Sequence, residues 1–109
     1  VEHHLTLSQV SVEGGELVVR ATTAEELRLA GKELLLLKRE LRSQRRVSLA
    51  KAKEEIQYLR ISTPAKHKTY LTVMKKVAQA PVSAIDARIR AVESAENQVA
   101  AAILARQFR

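Results

Sequence analysis

The residues with the clearest chemical capacity are the cations of residues 38–53. This segment holds seven Lys and Arg against one acid, Glu40. Guanidinium and ammonium groups at helical spacing can follow a phosphate backbone, because each phosphate they neutralise releases condensed counterions. The candidates for nucleic-acid contact are Lys38, Arg39, Arg42, Arg45, Arg46 and Lys75. The alternative is a solvated helix face with pairs one turn apart, such as Lys51 with Glu55.

The sequence offers no second signal for nucleic acid. Neither a helix-turn-helix nor a zinc-finger pattern occurs. Aromatic residues make up only 3% of the chain, so the aromatic interleaving typical of single-strand binders is missing. Nucleic-acid binding through the 38–53 helix face is therefore the alternative function.

The sequence contains no pattern typical of a catalytic or metal-binding site. The chain has no Cys and three His, and its acids are scattered, so no ligand set has the spacing of a metal site. Glu54 and Glu55 are adjacent and point to different faces of a helix, so they cannot form a facing carboxylate pair. The serines lack a nucleophile-elbow context. We predict no catalytic, cofactor-binding or metal-binding residues, and a protein that is not an enzyme.

Composition favours a small helical fold. The 109 residues suit one domain, and a 46% hydrophobic content with only three Gly and two Pro favours helix packing over a loop-rich fold. The net charge is +7, which favours acidic or polyanionic partners. No apolar run approaches the ~20 residues that cross a bilayer, and the lack of Cys suits a reducing compartment. We expect a cytoplasmic location.

Residues 1–22 predict a β-hairpin arm. The run Glu13–Glu16 places two glycines at a tight turn, where a type I′ turn needs positive φ. This turn sets Val12 opposite Leu17 and Val10 opposite Val19. A bulge near Ser8 and Gln9 would switch the apolar face.

A long helix is expected next. Thr22 and Thr23 each precede an acid by three residues, so either can form a capping box with Glu25 or Glu26. An apolar stripe then begins at Leu27. No Gly, Pro or Asn occurs between residues 32 and 61, which favours one helix over residues 24–60. A turn at residues 43–46 is the alternative, because that stretch contains no apolar residue.

The second half of the chain predicts two further helices. Thr63 fits an N-cap with Pro64 at the first helical position, and this helix runs to about Gln79. Pro81 is expected to interrupt it. Ser83 then caps a last helix over residues 84–107, whose apolar residues follow a heptad pattern with Glu96 as a polar member.

These elements predict a mainly α fold, with an N-terminal β-hairpin followed by a long antiparallel helical hairpin or bundle of coiled-coil type. The helical bundle, residues 23–109, forms with the arm a single domain. The apolar stripes exceed what one helical hairpin buries, so we expect a homo-oligomer, most simply a dimer. The predicted oligomer seam comprises Leu27, Leu34, Leu41, Ile85, Ile89, Val92, Val99 and Ile103.

Two finer expectations concern polar and aromatic residues. Glu96 either pairs with a basic residue of a facing helix, such as Arg45 or Arg46, or lies exposed at the seam's edge. Tyr58, Tyr70 and Met74 are expected to form a small packing cluster near the helical reversal. The function that these patterns favour is a non-enzymatic interaction module that self-associates or binds a partner protein.

Overall fold

The computed structural model describes residues 9–13 and 16–107, with the side chains of Val12, Glu13, Glu16 and Gln107 left out. The elements are strands β1 (Val10–Glu13) and β2 (Glu16–Val19), helix α1 (Ala24–Ser62), a 3-10 turn (Ala65–His67) and helix α2 (Lys68–Gln107). The predicted mainly α fold, a β-hairpin followed by a helical hairpin, is confirmed.

The β-hairpin has the predicted register. β1 and β2 pair antiparallel, with Val10 opposite Val19 and Val12 opposite Leu17. The Arg20 amide extends the ladder by donating to the Gln9 carbonyl at 2.8 Å. The expected glycine turn, and the part of the expected bulge at Ser8, lie outside the described residues.

Helix α1 runs unbroken from Ala24 to Ser62, so the alternative turn at residues 43–46 is wrong. Its start is a capping box: the Glu26 amide donates to Thr23 Oγ1 at 3.1 Å, and the Glu26 carboxylate accepts from the Thr22 amide at 3.1 Å. These bonds satisfy amides that have no partner inside the helix. Of the two boxes that the sequence allows, the one built on Thr23 forms.

The reversal between the helices differs from the prediction. Thr63 does not cap α2, because its amide donates to the Leu59 carbonyl at 2.9 Å and closes the end of α1. Pro64 has an extended backbone with ψ of 147° and precedes the 3-10 turn, whose first hydrogen bond runs from the His67 amide to the Pro64 carbonyl. The α-helix therefore starts only at Lys68.

Pro81 does not interrupt α2, which continues from Lys68 to Gln107. A proline inside a helix removes one hydrogen bond and costs about 3 kcal/mol. Packing offsets this cost here, because Ala78, Val82 and Ile85 around it are buried while Pro81 itself is exposed. Ser83 is consequently an exposed residue in the helix interior and not a cap.

The chain divides into two compact units, and both helices contribute to each. Unit 1 joins the chain up to Glu40 with the chain from Ile89 onward, and unit 2 is Leu41–Arg88. The core of unit 1 consists of Val10, Leu27, Ala30, Leu34, Val92, Ala95 and Val99, and that of unit 2 of Leu41, Ala52, Ala78, Val82 and Ile85. The predicted boundary between an arm and a bundle at residue 22 stays a prediction.

The residues of the predicted oligomer seam are used inside the chain. Leu27, Leu34, Val92 and Val99 are buried in unit 1, where Ile89 and Ile103 are half-buried. Leu41 and Ile85 are buried in unit 2. Burial within one chain accounts for most of this stripe, and its part in an oligomer stays a prediction.

Candidate interaction surfaces

A buried carboxylate attaches the β-hairpin to α1 in unit 1. Glu33 is only 5% exposed, although it lies on a helix. Its two carboxylate oxygens accept from the backbone amide of Gln9 at 3.1 and 3.3 Å. Val10, the next residue, is buried as well. A buried acid needs such donors because an unpaired charge in an apolar environment is strongly destabilising.

The polar member of the α2 heptad pattern pairs with a lysine. Lys38 Nζ lies 2.7 Å from Glu96 Oε1, and both side chains are largely shielded from solvent. The expectation that Glu96 pairs with a basic residue of a facing helix is confirmed, but that residue is Lys38 and not Arg45 or Arg46. The reversal through Pro64 and the 3-10 turn sets the register in which Glu96 faces Lys38.

Arg45 instead forms an ion pair within unit 2. Its Nε lies 2.6 Å from Asp86 Oδ1, and both side chains are about one-third exposed. Two of the six predicted nucleic-acid contacts, Lys38 and Arg45, are thus already paired with acids. Arg39, Arg42 and Arg46 are exposed.

Unit 2 has a basic face, formed by Arg42, Arg46, Lys53 and Arg60 on α1 and by Lys68 and Lys75 on α2. At 3.6 residues per turn, the four α1 residues fall within about 40° of one another. They lie about a quarter turn to one side of the buried Leu41 and Ala52. The Arg45–Asp86 ion pair lies on this side and joins the two helices there. Of the residues predicted for nucleic acid, the basic face retains Arg42, Arg46 and Lys75.

The sequence places the entire net charge in unit 2. Residues 41–88 contain eleven Lys and Arg and three acids, so their net charge is +8. The rest of the chain has eight Lys and Arg and nine acids and is nearly neutral. Of the three acids of unit 2, Asp86 is paired with Arg45. Glu54 and Glu55 lie away from the basic face, on the opposite side of the unit.

That opposite side is apolar. Val47, Tyr58, Tyr70, Val73 and Val77 are each more than half exposed, and we call them the apolar face of unit 2. On α1, Val47 and Tyr58 lie about a third of a turn from the buried line, opposite to the basic face. On α2, the spacing of three and four residues from Tyr70 to Val77 is that of a helix stripe.

An open groove of about 340 Å³ runs through the apolar face. Its lining residues are Glu54, Glu55, Tyr58, Leu59, Met74, Val77 and Ala78. Tyr58 and Met74, expected in one packing cluster, thus border the same groove. The groove is lined mainly by apolar atoms, with Glu54 and Glu55 among its bordering residues, and such a shape accepts a side chain or helix of a partner.

No group of side chains that could hold a metal ion occurs in the part of the chain that the structure describes. Within residues 9–13 and 16–107, no three His, Asp or Glu side chains converge on a point where an ion could bind. Neither α1 nor α2, as far as they are described, has a stretch apolar enough to cross a membrane.

Sequence reasoning missed two of these features. Glu33 lies beside Leu34 within the apolar stripe of α1 and is buried. An acid at a buried position needs a hydrogen-bond donor, and this signal could have indicated that the hairpin attaches there. The separation of basic from apolar side chains depends on the antiparallel register, which the sequence does not display.

The comparisons with known proteins found no similarity: no family model matches the chain, and no curated protein or solved structure resembles it at a significant level.

Proposed function

We propose that this chain is a non-enzymatic assembly module that associates with a second copy of itself through the apolar face of unit 2. The observation that supports this is the separation of exposed side chains in unit 2: five of its six exposed large apolar side chains lie on one face, and six of its eleven cations form the other. Exposed valine and tyrosine side chains gain about 25 cal/mol per Å² when they leave water. The basic face cannot supply a contact between identical chains, because its cations repel one another.

The charges around the groove support a second copy as the occupant. The apolar face carries Glu54 and Glu55 towards the helical reversal. Helical position places Lys51 and Arg88 on the same side of the unit, further from the reversal. A two-fold axis between Lys51 and Glu54 would bring the acids of one copy against Lys51 of the other. A self-complementary patch is what an isologous dimer requires.

Such a dimer would be a four-helix arrangement in which each copy contributes α1 and α2 of unit 2. Val73 and Val77 would fill the space beside Tyr58 of the other copy, as apolar residues do in helix bundles. We further propose a cytoplasmic location, since a reducing compartment suits a chain without Cys.

The test replaces one exposed valine of the apolar face with an acid. We expect the unchanged protein to approach a dimer mass in light scattering as its concentration rises. Val77→Glu should remain monomeric at every concentration, because it would place a carboxylate in the apolar contact. Val77 is 57% exposed, so the variant keeps its helical circular dichroism.

The matched control is Gln79→Glu, which adds the same charge to the same helix at an exposed position on the other side. It should dimerise like the unchanged chain. A monomer at all concentrations for the unchanged protein would remove the proposal, and so would equal loss of the dimer in both variants.

A further inference from the structure

We propose that the basic face of unit 2 binds the phosphate backbone of duplex nucleic acid. This goes beyond the proposed self-association, because it uses the opposite face of the unit. Six cations form the face: Arg42, Arg46, Lys53, Arg60, Lys68 and Lys75. The proposal rests on their one-sided placement and on the absence of an unpaired acid among them.

Acids do not neutralise this face. Asp86 is the acid on this side of unit 2, and its Oδ1 lies 2.6 Å from Arg45 Nε. Glu54 and Glu55 line the groove of the apolar face instead. A cluster of cations that lacks local counter-ions raises the local concentration of an anionic partner and speeds its association.

The dimensions suit a duplex. The α1 row extends from Arg42 to Arg60, about 27 Å at 1.5 Å per residue. This is comparable to one turn of B-form DNA, about 34 Å. The second row, on α2, lies at the distance of a packed helix, about 8–10 Å. Two parallel rows of cations on rigid helices can engage phosphates along a regular double helix.

The aromatic residues argue against a single strand. Single-strand binders stack bases on exposed aromatic side chains. Tyr58 and Tyr70 belong to the apolar face, and the basic face, within the described residues, carries no ring. Contacts restricted to phosphates carry no direct sequence information, so we expect binding with little sequence preference.

The experiment measures binding of a fluorescently labelled DNA duplex of about two helical turns to the full chain by anisotropy. Six phosphate contacts predict a slope of log K against log salt of about −5, measured between about 50 and 200 mM NaCl. The double variant Arg46→Ala/Lys53→Ala should reduce the slope by about 2 and weaken binding at least about tenfold at the lowest salt.

The matched control is Lys76→Ala/Arg106→Ala, which removes the same charge at exposed positions outside both the basic face and the proposed dimer contact. It should bind within about twofold of the unchanged chain. Circular dichroism of both variants checks that the exposed substitutions leave the helices intact. Val77→Glu, the variant that tests self-association, should keep the same salt slope per chain, so the two proposals can fail separately.

Three outcomes would overturn the inference. The first is no duplex binding at the lowest salt. The second is equal weakening by the two double variants, which would show that net charge alone attracts the duplex. The third is equal or tighter binding of a single strand or of polyglutamate, which would assign the face to a different anionic partner.

Discussion

Units 1 and 2 are built from the same two helices, yet they differ in the elements that cover their apolar residues. In unit 1 the β-hairpin adds a third layer, since Val10 is buried and the Gln9 amide is bonded to Glu33. In unit 2 the described residues supply only α1, α2 and the turn between them. Its core has five buried apolar residues, against seven in the described part of unit 1.

The comparison shows how a third layer changes the surface that remains. Unit 1 has its largest fully buried side chain at Leu34 and a nearly balanced charge. Unit 2 keeps six large apolar side chains exposed, against four in the described part of unit 1, and holds the whole excess of positive charge. A two-layer helix pair leaves two sides open to solvent, and in unit 2 these sides differ in chemistry.

The largest expected effect concerns the depth of the two cores. Leu34→Ala should lower the free energy of unfolding by about 3 kcal/mol, because it opens a cavity at a fully buried position. Leu49→Ala, at a half-buried position in unit 2, should cost about 1 kcal/mol. Urea denaturation of both variants measures the difference. Equal costs would contradict the deeper burial of Leu34 relative to Leu49.

A smaller effect is expected at the attachment of the hairpin. Glu33→Gln removes the charge that the Gln9 amide faces and should destabilise the protein by about 1–2 kcal/mol. Glu25→Gln, at an exposed position in the first turn of α1, serves as the control and should cost below about 0.5 kcal/mol. Amide hydrogen exchange should accelerate in β1 and β2 of the Glu33 variant alone. Unchanged exchange there would show that Glu33 does not hold the hairpin.

The smallest expected effect is the difference in coupling energy between the two interhelical ion pairs. In double-mutant cycles, Lys38 with Glu96 should show a coupling energy of about 1 kcal/mol, since these side chains are shielded. Arg45 with Asp86, more exposed, should give about 0.3 kcal/mol. Lys38→Met with Glu96→Gln and Arg45→Met with Asp86→Asn complete the cycles. A larger coupling energy for the unit 2 pair would contradict this prediction.

Patterns that depend on local chemistry were predictable from the sequence. The register of β1 and β2 followed from the two glycines between Glu13 and Glu16, and the capping box at Thr23 followed from its spacing to Glu26. The unbroken α1 followed from the absence of breakers. The burial of Val92 and Val99 followed from the heptad spacing in α2.

Features that depend on tertiary context were not predictable from the sequence. Pro81 is a local signal for a break, yet buried neighbours on the same helix outweigh it. The partner of Glu96 depends on the length of the reversal, which Thr63 and the 3-10 turn extend. The acidic partners of Lys38 and Arg45 could not be assigned from the sequence because they lie 58 and 41 residues away.

The 58-residue separation between Lys38 and Glu96 has a consequence for the order in which the molecule forms. Closing a long loop costs more chain entropy than closing a short one, and the chain reverses within unit 2. We therefore expect helix pairing to start beside the reversal and to spread away from it, so that residues 24–40 find residues 89–107 late. During synthesis, the segment after Ile89 has to leave the ribosome before the Lys38 ammonium can meet its carboxylate.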